Sequence, residues 1–299
     1  MTILSRLLLY LATMAMISGS VSVSAFTISG TSTTTTTNTR LYQMMDASYF
    51  DAQTQSNNNN LPSNPWNPSA TETIQGSSQR TWQIPSRKEQ TEGRDRVLVL
   101  MKSNGRPLHA TVDVMQGPNY TPQSASIFLE DGQDYELNLV MELPSPQPYT
   151  MELRNTAEVE FPLTACVQTN NNDSAQSSKV EELQQSGRHI MTVQKQIEPI
   201  IIQGGGSLRT FAFDPTVHRA QVYIQSDGGR PFWCKIELLE GPNNIKQIVE
   251  LYSKDGVEAP FFLTLDMPGN GNVVRIINTG PLEYPLQAAL TPIMVSATT

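Results

Sequence analysis

Past residue 78 the chain is a succession of short segments in which apolar and polar residues alternate, with Gly, Pro, Asn and Asp between them. Leu108, Ala110, Val112 and Val114 interleave with His109, Thr111 and Asp113, and Phe232, Cys234, Ile236 and Leu238 interleave with Trp233, Lys235 and Glu237. A period of two puts each apolar set on one face of a β-strand, whereas a period of 3.6 would mark a helix. Read this way, strands fall near residues 78–84, 96–103, 107–116, 124–130, 134–143, 148–154 and 161–168, and again near 207–213, 217–226, 231–240, 246–253, 258–267, 272–278 and 284–291. Seven short strands per set, with regular turn punctuation, predict an antiparallel β-sandwich or open barrel for each. A further apolar run, Ile197 to Ile202, reads as an extra strand or an edge cover and is stopped by Gly204-Gly205-Gly206.

The two sets are copies of one module. Arg106–Pro144 aligns without a gap on Arg230–Pro268, 39 residues on 39, with ten identities. Most identities are punctuation: Arg106/Arg230, Pro107/Pro231, Gly117/Gly241, Pro118/Pro242, Asn119/Asn243, Asp131/Asp255 and Gly132/Gly256. Asn155-Thr156 then matches Asn278-Thr279, and Glu160-Phe161-Pro162-Leu163 matches Glu283-Tyr284-Pro285-Leu286. Gly permits positive φ and Pro presets φ near −65°, so the copies share their turns above all. The fold class is therefore all-β: two tandem homologous antiparallel sandwich-like modules, 78–168 and 192–295, joined by a linker, 169–191, in which Val180 to Gln185 could form one or two helical turns. Two similar surfaces on one chain suit assembly or bivalent binding better than a single active site.

The N-terminal region is an address. Arg6 precedes an apolar run from Leu7 to Ile17, and Val23-Ser24-Ala25 supplies the small residues of a signal-peptidase site, giving a signal peptide over 1–25. The run is too short for a comfortable membrane span, and no later segment is apolar enough for one. Residues 26–45 are rich in Thr and Ser, and no Asp or Glu occurs before Asp46. That composition is of the transit-peptide kind. A signal peptide, then Phe26, then such a stretch resembles the two-part presequence of algae with secondary plastids, diatoms especially. Plain secretion is the alternative, and the sequons at Asn119 and Asn172 fit it. Residues 46–77 are Asn-, Gln-, Ser- and Pro-rich and read as a flexible arm, with Trp66 its one anchoring side chain.

Charge narrows the partners. The formal net charge is −8, and Arg6 and Arg40 are the only charges before Asp46, so loss of residues 1–45 takes it to −10. An acidic chain without a basic cluster argues against nucleic acid and anionic membranes. Cys166 and Cys234 are the only cysteines, with no CxxC, so a disulfide framework is not expected. His109, His189 and His218 lack metal-ligand spacing, and no metal or other cofactor is expected. The Gly204–Gly206 run has no P-loop Lys and reads as a hairpin turn. The paired carboxylates Asp113/Glu237, Glu142/Asp266 and Glu160/Glu283 could serve acid–base chemistry, but they sit where solvated strand faces carry charge anyway. An enzyme is not expected.

The residues left as candidates are structural or interfacial. Arg106-Pro107 and Arg230-Pro231 open the best-matched strand of each copy, where an Arg can fork onto a carboxylate or backbone carbonyls as a clamp within the module, or reach another molecule. Gly117-Pro118 and Gly241-Pro242 mark a shared turn, and His109 and Trp233 occupy matching outward positions as candidate interface anchors.

The block SNGRPLHATVDVMQGPNYTP, echoed by SDGGRPFWCKIELLEGPNN, and GGGSLRTFAF, echoed by SSQRTWQI, resemble the pyrenoid shell proteins of diatoms over most of residues 78–295. The resemblance implies a plastid protein that self-associates into a sheet around the Rubisco-containing pyrenoid and supports CO2 fixation. It implies a homo-oligomeric lattice at the pyrenoid periphery in the plastid stroma, with Rubisco or the pyrenoid matrix as further candidate partners and no catalytic residues. The competing reading is a secreted or cell-surface bivalent β-sandwich that binds carbohydrate.

Overall fold

The computed structural model describes residues 71–85, 95–144, 147–169, 198–268 and 271–294. The expected signal peptide, the transit-like segment, most of the arm and the expected helical turns at 180–185 lie outside them. Every described element is a strand. The first copy comprises β1 (Thr71–Ile74), β2 (Gln79–Ile84), β3 (Asp95–Lys102), β4 (Leu108–Met115), β5 (Gln123–Leu129), β6 (Leu137–Leu143), β7 (Tyr149–Asn155) and β8 (Leu163–Thr169). The second comprises β9 (Ile200–Ile202), β10 (Leu208–Ala212), β11 (Val217–Ser226), β12 (Phe232–Glu240), β13 (Ile245–Ser253), β14 (Phe261–Asp266), β15 (Asn272–Asn278) and β16 (Leu286–Met294).

The first copy thus has eight strands where the periodicity predicts seven, and the second has the predicted seven with the further strand read at its start. The end of the stretch expected to be a flexible arm forms β1, which pairs with β8 from Thr71↔Cys166 to Ile74↔Leu163. A four-residue strand in polar surroundings carries too little pattern to be read locally, and its partner supplies the stability. The Ile-rich run forms the extra strand read there, and it lies at a sheet edge. Its β9 is the counterpart of β1 and pairs with β16 at the other edge of the same sheet.

The strands form two eight-stranded sheets, ordered β1-β8-β3-β6-β14-β11-β16-β9 and β10-β15-β12-β13-β5-β4-β7-β2. Within one copy the orders are 1-8-3-6 and 2-7-4-5, the jelly-roll arrangement of two Greek keys. Each module alternates between the sheets, so both sheets run unbroken through both copies. They join where β6 meets β14 and β5 meets β13. At these seams Leu139 faces Leu263 and Ser126 faces Glu250, each residue opposite its own repeat counterpart. The modules are therefore related by a pseudo-two-fold axis that passes through both seams. Flanking loops obey it too: Glu130 N–H donates to the Lys246 carbonyl and Lys254 N–H to the Pro122 carbonyl, both at 2.8 Å.

The core lies between the sheets and is filled by the inward set of each strand. Val97, Val99, Val112, Leu137, Leu139 and Met151 are fully buried in the first module. In the second, Phe232 and Phe261 are both 0% exposed and meet edge to face across the sandwich, with ring centroids 6.0 Å apart. Cys234 is buried in the same inward set, and burial pushes its thiol well above the ordinary range. Cys166 lies on the opposite face of its strand, opposite Leu100.

Candidate functional site

Most of the motifs shared by the copies converge at one end of each module, where four loops cross between strands. After β3, Ser103 Oγ donates to the Arg106 carbonyl, which also accepts the Gly132 N–H at 3.1 Å. After β11, Ser226 Oγ donates to the Gly228 carbonyl and Gly256 N–H reaches the Arg230 carbonyl at 3.0 Å. Asp131 and Asp255 each close an Asx turn, accepting the N–H groups of Gln133 and Val257 on their carboxylates at 2.8 and 3.1 Å. The guanidinium of Arg106 donates to the Glu160 carbonyl at 3.3 Å and lies over the Phe161 ring at 5.6 Å. That of Arg230 donates to the Glu283 carbonyl at 3.2 Å. Both arginines face solvent yet tie down the loop that carries their own module's Glu-aromatic-Pro sequence. Pro107 and Pro231 sit between the clamp and the strand it opens.

Beneath the clamp is a buried asparagine in each copy. Asn155 Nδ2 donates to the carbonyls of Ile74 and Phe161, and its Oδ1 accepts the Ala157 N–H. Asn278 repeats this with the carbonyls of Ile202 and Tyr284 and the N–H of Gly280. The neighbouring loops touch so closely that a Cβ on Gly204 would stand 1.7 Å from the Pro281 carbonyl oxygen. The sequence predicts a hairpin turn at Gly204–Gly206, and the structure does not form one there. The run carries the chain from β9 in one sheet to β10 in the other, and close backbone contact selects glycine. The loops leave one apolar residue outward in each copy, Val159 at 66% exposure and Leu282 at 69%.

At the opposite end of each module, Gly117 and Gly241 adopt φ of +72° and +78° in turns closed by Gln116 N–H to the Tyr120 carbonyl and Glu240 N–H to the Asn244 carbonyl. Pro118 and Pro242 are exposed beside them. These residues shape turns. Tyr120 lies under the Lys254 ammonium, 4.4 Å from its ring centroid, which ties this turn to the second module.

His109 and Trp233 lie on the outer face of the second sheet. His109 is exposed and stacks at a tilt on Phe128, centroid to centroid 4.9 Å. Trp233 stacks on Tyr252 at 5.3 Å and meets Tyr284 edge-on at 6.3 Å, so it is half-buried. His109 and Trp233, like Phe128 and Tyr252, are pseudo-symmetry mates.

The paired carboxylates have separate engagements. Glu142 and Asp266 hold Arg96 and Arg219, each at 2.6 Å. Burial nonetheless pushes the Asp266 carboxyl upward, with Arg219 opposing. Glu160 and Glu283 offer their backbone carbonyls to the arginine clamps. Glu237 pairs with Lys235 at 2.9 Å and Arg275 at 3.1 Å. Its counterpart Asp113 faces Glu152 across the ladder instead. Burial, then Glu152, push the Asp113 carboxyl above its ordinary 3.8, against the pull of Arg154. A folded-state pKa above the unfolded one means that ionisation works against the fold as pH rises past the unfolded value. Asp113→Asn is expected to raise the melting temperature at pH 7 and to leave it unchanged below pH 3.8. An equal gain at both values would assign the effect to packing.

Reading the sequence for chemistry passes over Asn155, Asn278, Ser103 and Ser226. Their signal was available: each is identical to its mate and lies at a strand end.

The described residues thus bring the shared motifs together as two mutually consistent loop ends on a pseudo-symmetric double jelly roll. Residues 66–292, most of the chain, match the family model described as diatom pyrenoid shell protein. The chain belongs to the diatom pyrenoid shell protein family. The family name places it with the pyrenoid of the plastid and with shell proteins. A search of curated proteins finds no match to this shell protein. Among solved structures it is similar to YhhW from Escherichia coli, at 8% identity over 70% of this chain and 79% of that one, TM-score 0.19. It is also similar to vicilin from Solanum lycopersicum, at 8% identity over 72% and 77%, TM-score 0.15. Such low scores carry no argument about the shell protein. Among the described residues no helix is long and apolar enough to cross a membrane.

Proposed function

We propose that this shell protein is a non-enzymatic structural subunit that self-associates into a sheet around the Rubisco-containing pyrenoid, at its periphery in the plastid stroma, and thereby supports CO2 fixation. Family membership supports the setting. The observation that carries the assembly reading is the pseudo-two-fold: two like modules in continuous sheets give one chain two related but non-identical surfaces. Contacts between such surfaces need not close into a ring, and unclosed contacts propagate as an open array. The shared motifs favour the same reading, because each is engaged in holding a loop or turn of its own module.

The test is purification of residues 46–299, which contain every described strand, followed by electron microscopy and light scattering. Sheets or tubes are expected at micromolar concentration without nucleotide or metal. A chain that stays monomeric across concentrations and salts would overturn the reading and favour a bivalent carbohydrate-binding sandwich. In cells, a fluorescent tag on the full chain is expected to mark the rim of the pyrenoid, and a secreted tag would count against the proposed location.

A further inference from the structure

The two halves of the second sheet present the same strands in the same register, so their outward residues can be compared position by position. Where β2, β7 and β5 carry Gln79, Gln83, Thr150, Arg154 and Ser124, their mates β10, β15 and β13 carry Leu208, Ala212, Val273, Ile277 and Ile248. Five outward positions change from polar to apolar. The first module folds with polar residues there, so the fold does not demand the apolar ones. They also form one surface: Leu208 faces Ile277, which neighbours Lys235 on β12, next to Trp233 and Tyr252. Leu208 is 47% exposed.

The charges on this half are arranged differently too. Lys235 and Arg275 both pair with Glu237, and Glu250 stands opposite Lys235, so the four formal charges cancel. On the first module's half, Asp113 and Glu152 face each other with Arg154 beside them, leaving an excess of negative charge. In a chain of net charge −8, approach of a second copy is repulsive in general and least so at a neutral patch.

We infer that the outer face of β13-β12-β15-β10 is a contact surface for a second copy of this chain, met face to face about a two-fold axis; this rests on the assembly reading above. A surface whose charges cancel and whose changed positions are apolar can meet its own copy, which is what an isologous contact requires. Two such sheets pack about 10 Å apart. Four strands span roughly 20 Å across and roughly 20 Å along, about 400 Å² of sheet plane per copy. That is well under the ~800 Å² per partner of a stable complex. Such a contact closes a pair of copies, and at this size it persists where the unclosed contacts proposed above join the pairs into an array, with the first module's polar half left facing solvent.

The experiment grafts the first module's own residues onto the second: Leu208→Gln with Ile277→Arg, in residues 46–299. Both positions are outward; Arg154 pairs with Glu152 whereas Ile277→Arg would stand opposite Lys235, so Leu208→Gln alone serves as a second variant without added charge. Circular dichroism and thermal melting check the fold, and sedimentation with electron microscopy follows assembly. The graft is expected to keep the β spectrum and to raise the concentration needed for assembly roughly tenfold or more. The control Gln79→Ala with Arg154→Ala is expected to assemble as the wild type does. A graft that assembles at the wild-type concentration overturns this inference and leaves the shell reading standing. A wild-type chain that never assembles overturns the shell reading itself. If the wild type stays monomeric and the graft abolishes its co-sedimentation with Rubisco, the face takes Rubisco and the second-copy inference is wrong.

Discussion

Asn278→Ala is expected to lower the free energy of unfolding by about 4 kcal/mol. The side chain is 0% exposed and holds three segments together: the end of β9 through the Ile202 carbonyl at 3.0 Å, the loop before β16 through the Tyr284 carbonyl at 2.8 Å, and the start of that loop through the Gly280 N–H at 3.0 Å. Alanine removes both donors and the acceptor and leaves three buried groups unpaired. Each unpaired group costs about 1–3 kcal/mol, and partial entry of water holds the sum below the upper limit. In a folded unit of this size the loss corresponds to roughly 10 °C in melting temperature. Urea unfolding is the measurement, with the midpoint falling and the slope unchanged. A drop near 1 kcal/mol would mean that the loops repack around the missing amide. The Arg230 clamp above it should matter far less, because its guanidinium is exposed and its hydrogen bond competes with water.

Phe261→Ala is expected to cost a similar amount, about 4 kcal/mol, by another route. Its ring is fully buried and meets Phe232 edge to face, linking β14 in one sheet to β12 in the other. Truncating a buried Phe loses its transfer free energy and leaves a cavity, together about 3–5 kcal/mol. The repeat counterparts are Leu137 and Leu108, both buried, so this aromatic pair is particular to the second module. Because the ladders β6–β14 and β5–β13 carry both sheets through both modules, unfolding is expected to remain a single transition that shifts as a whole. Two separated transitions, one unmoved by the substitution, would show that the seams do not couple the modules.

The candidate residues divide by how they could be read. Arg106-Pro107, Gly117-Pro118 and their mates were legible as repeated punctuation, and the turns at Gly117 and Gly241 follow from positive φ. Which carbonyls the arginines clamp was not legible. Glu160 and Glu283 lie more than fifty residues along the chain from them, and only the crossing of loops between sheets brings them close. The matched outward placement of His109 and Trp233 was legible from alternation. Their unequal burial was not, because it depends on Tyr284 folding over one of them and not on the strand itself.

The sequence by itself determined the all-β class, the position of nearly every strand, the duplication and the inward-facing set. All of these are local: a two-residue period states which side chains share a face, and Gly and Pro state where the chain turns. Tertiary structure alone decided which strands are neighbours, since alternation is silent about partners. It decided that β1, too short to announce itself, is a strand because β8 pairs with it. And it decided that two modules share two continuous sheets, because Leu139 meets Leu263 and Ser126 meets Glu250 across seams formed by residues over a hundred positions apart.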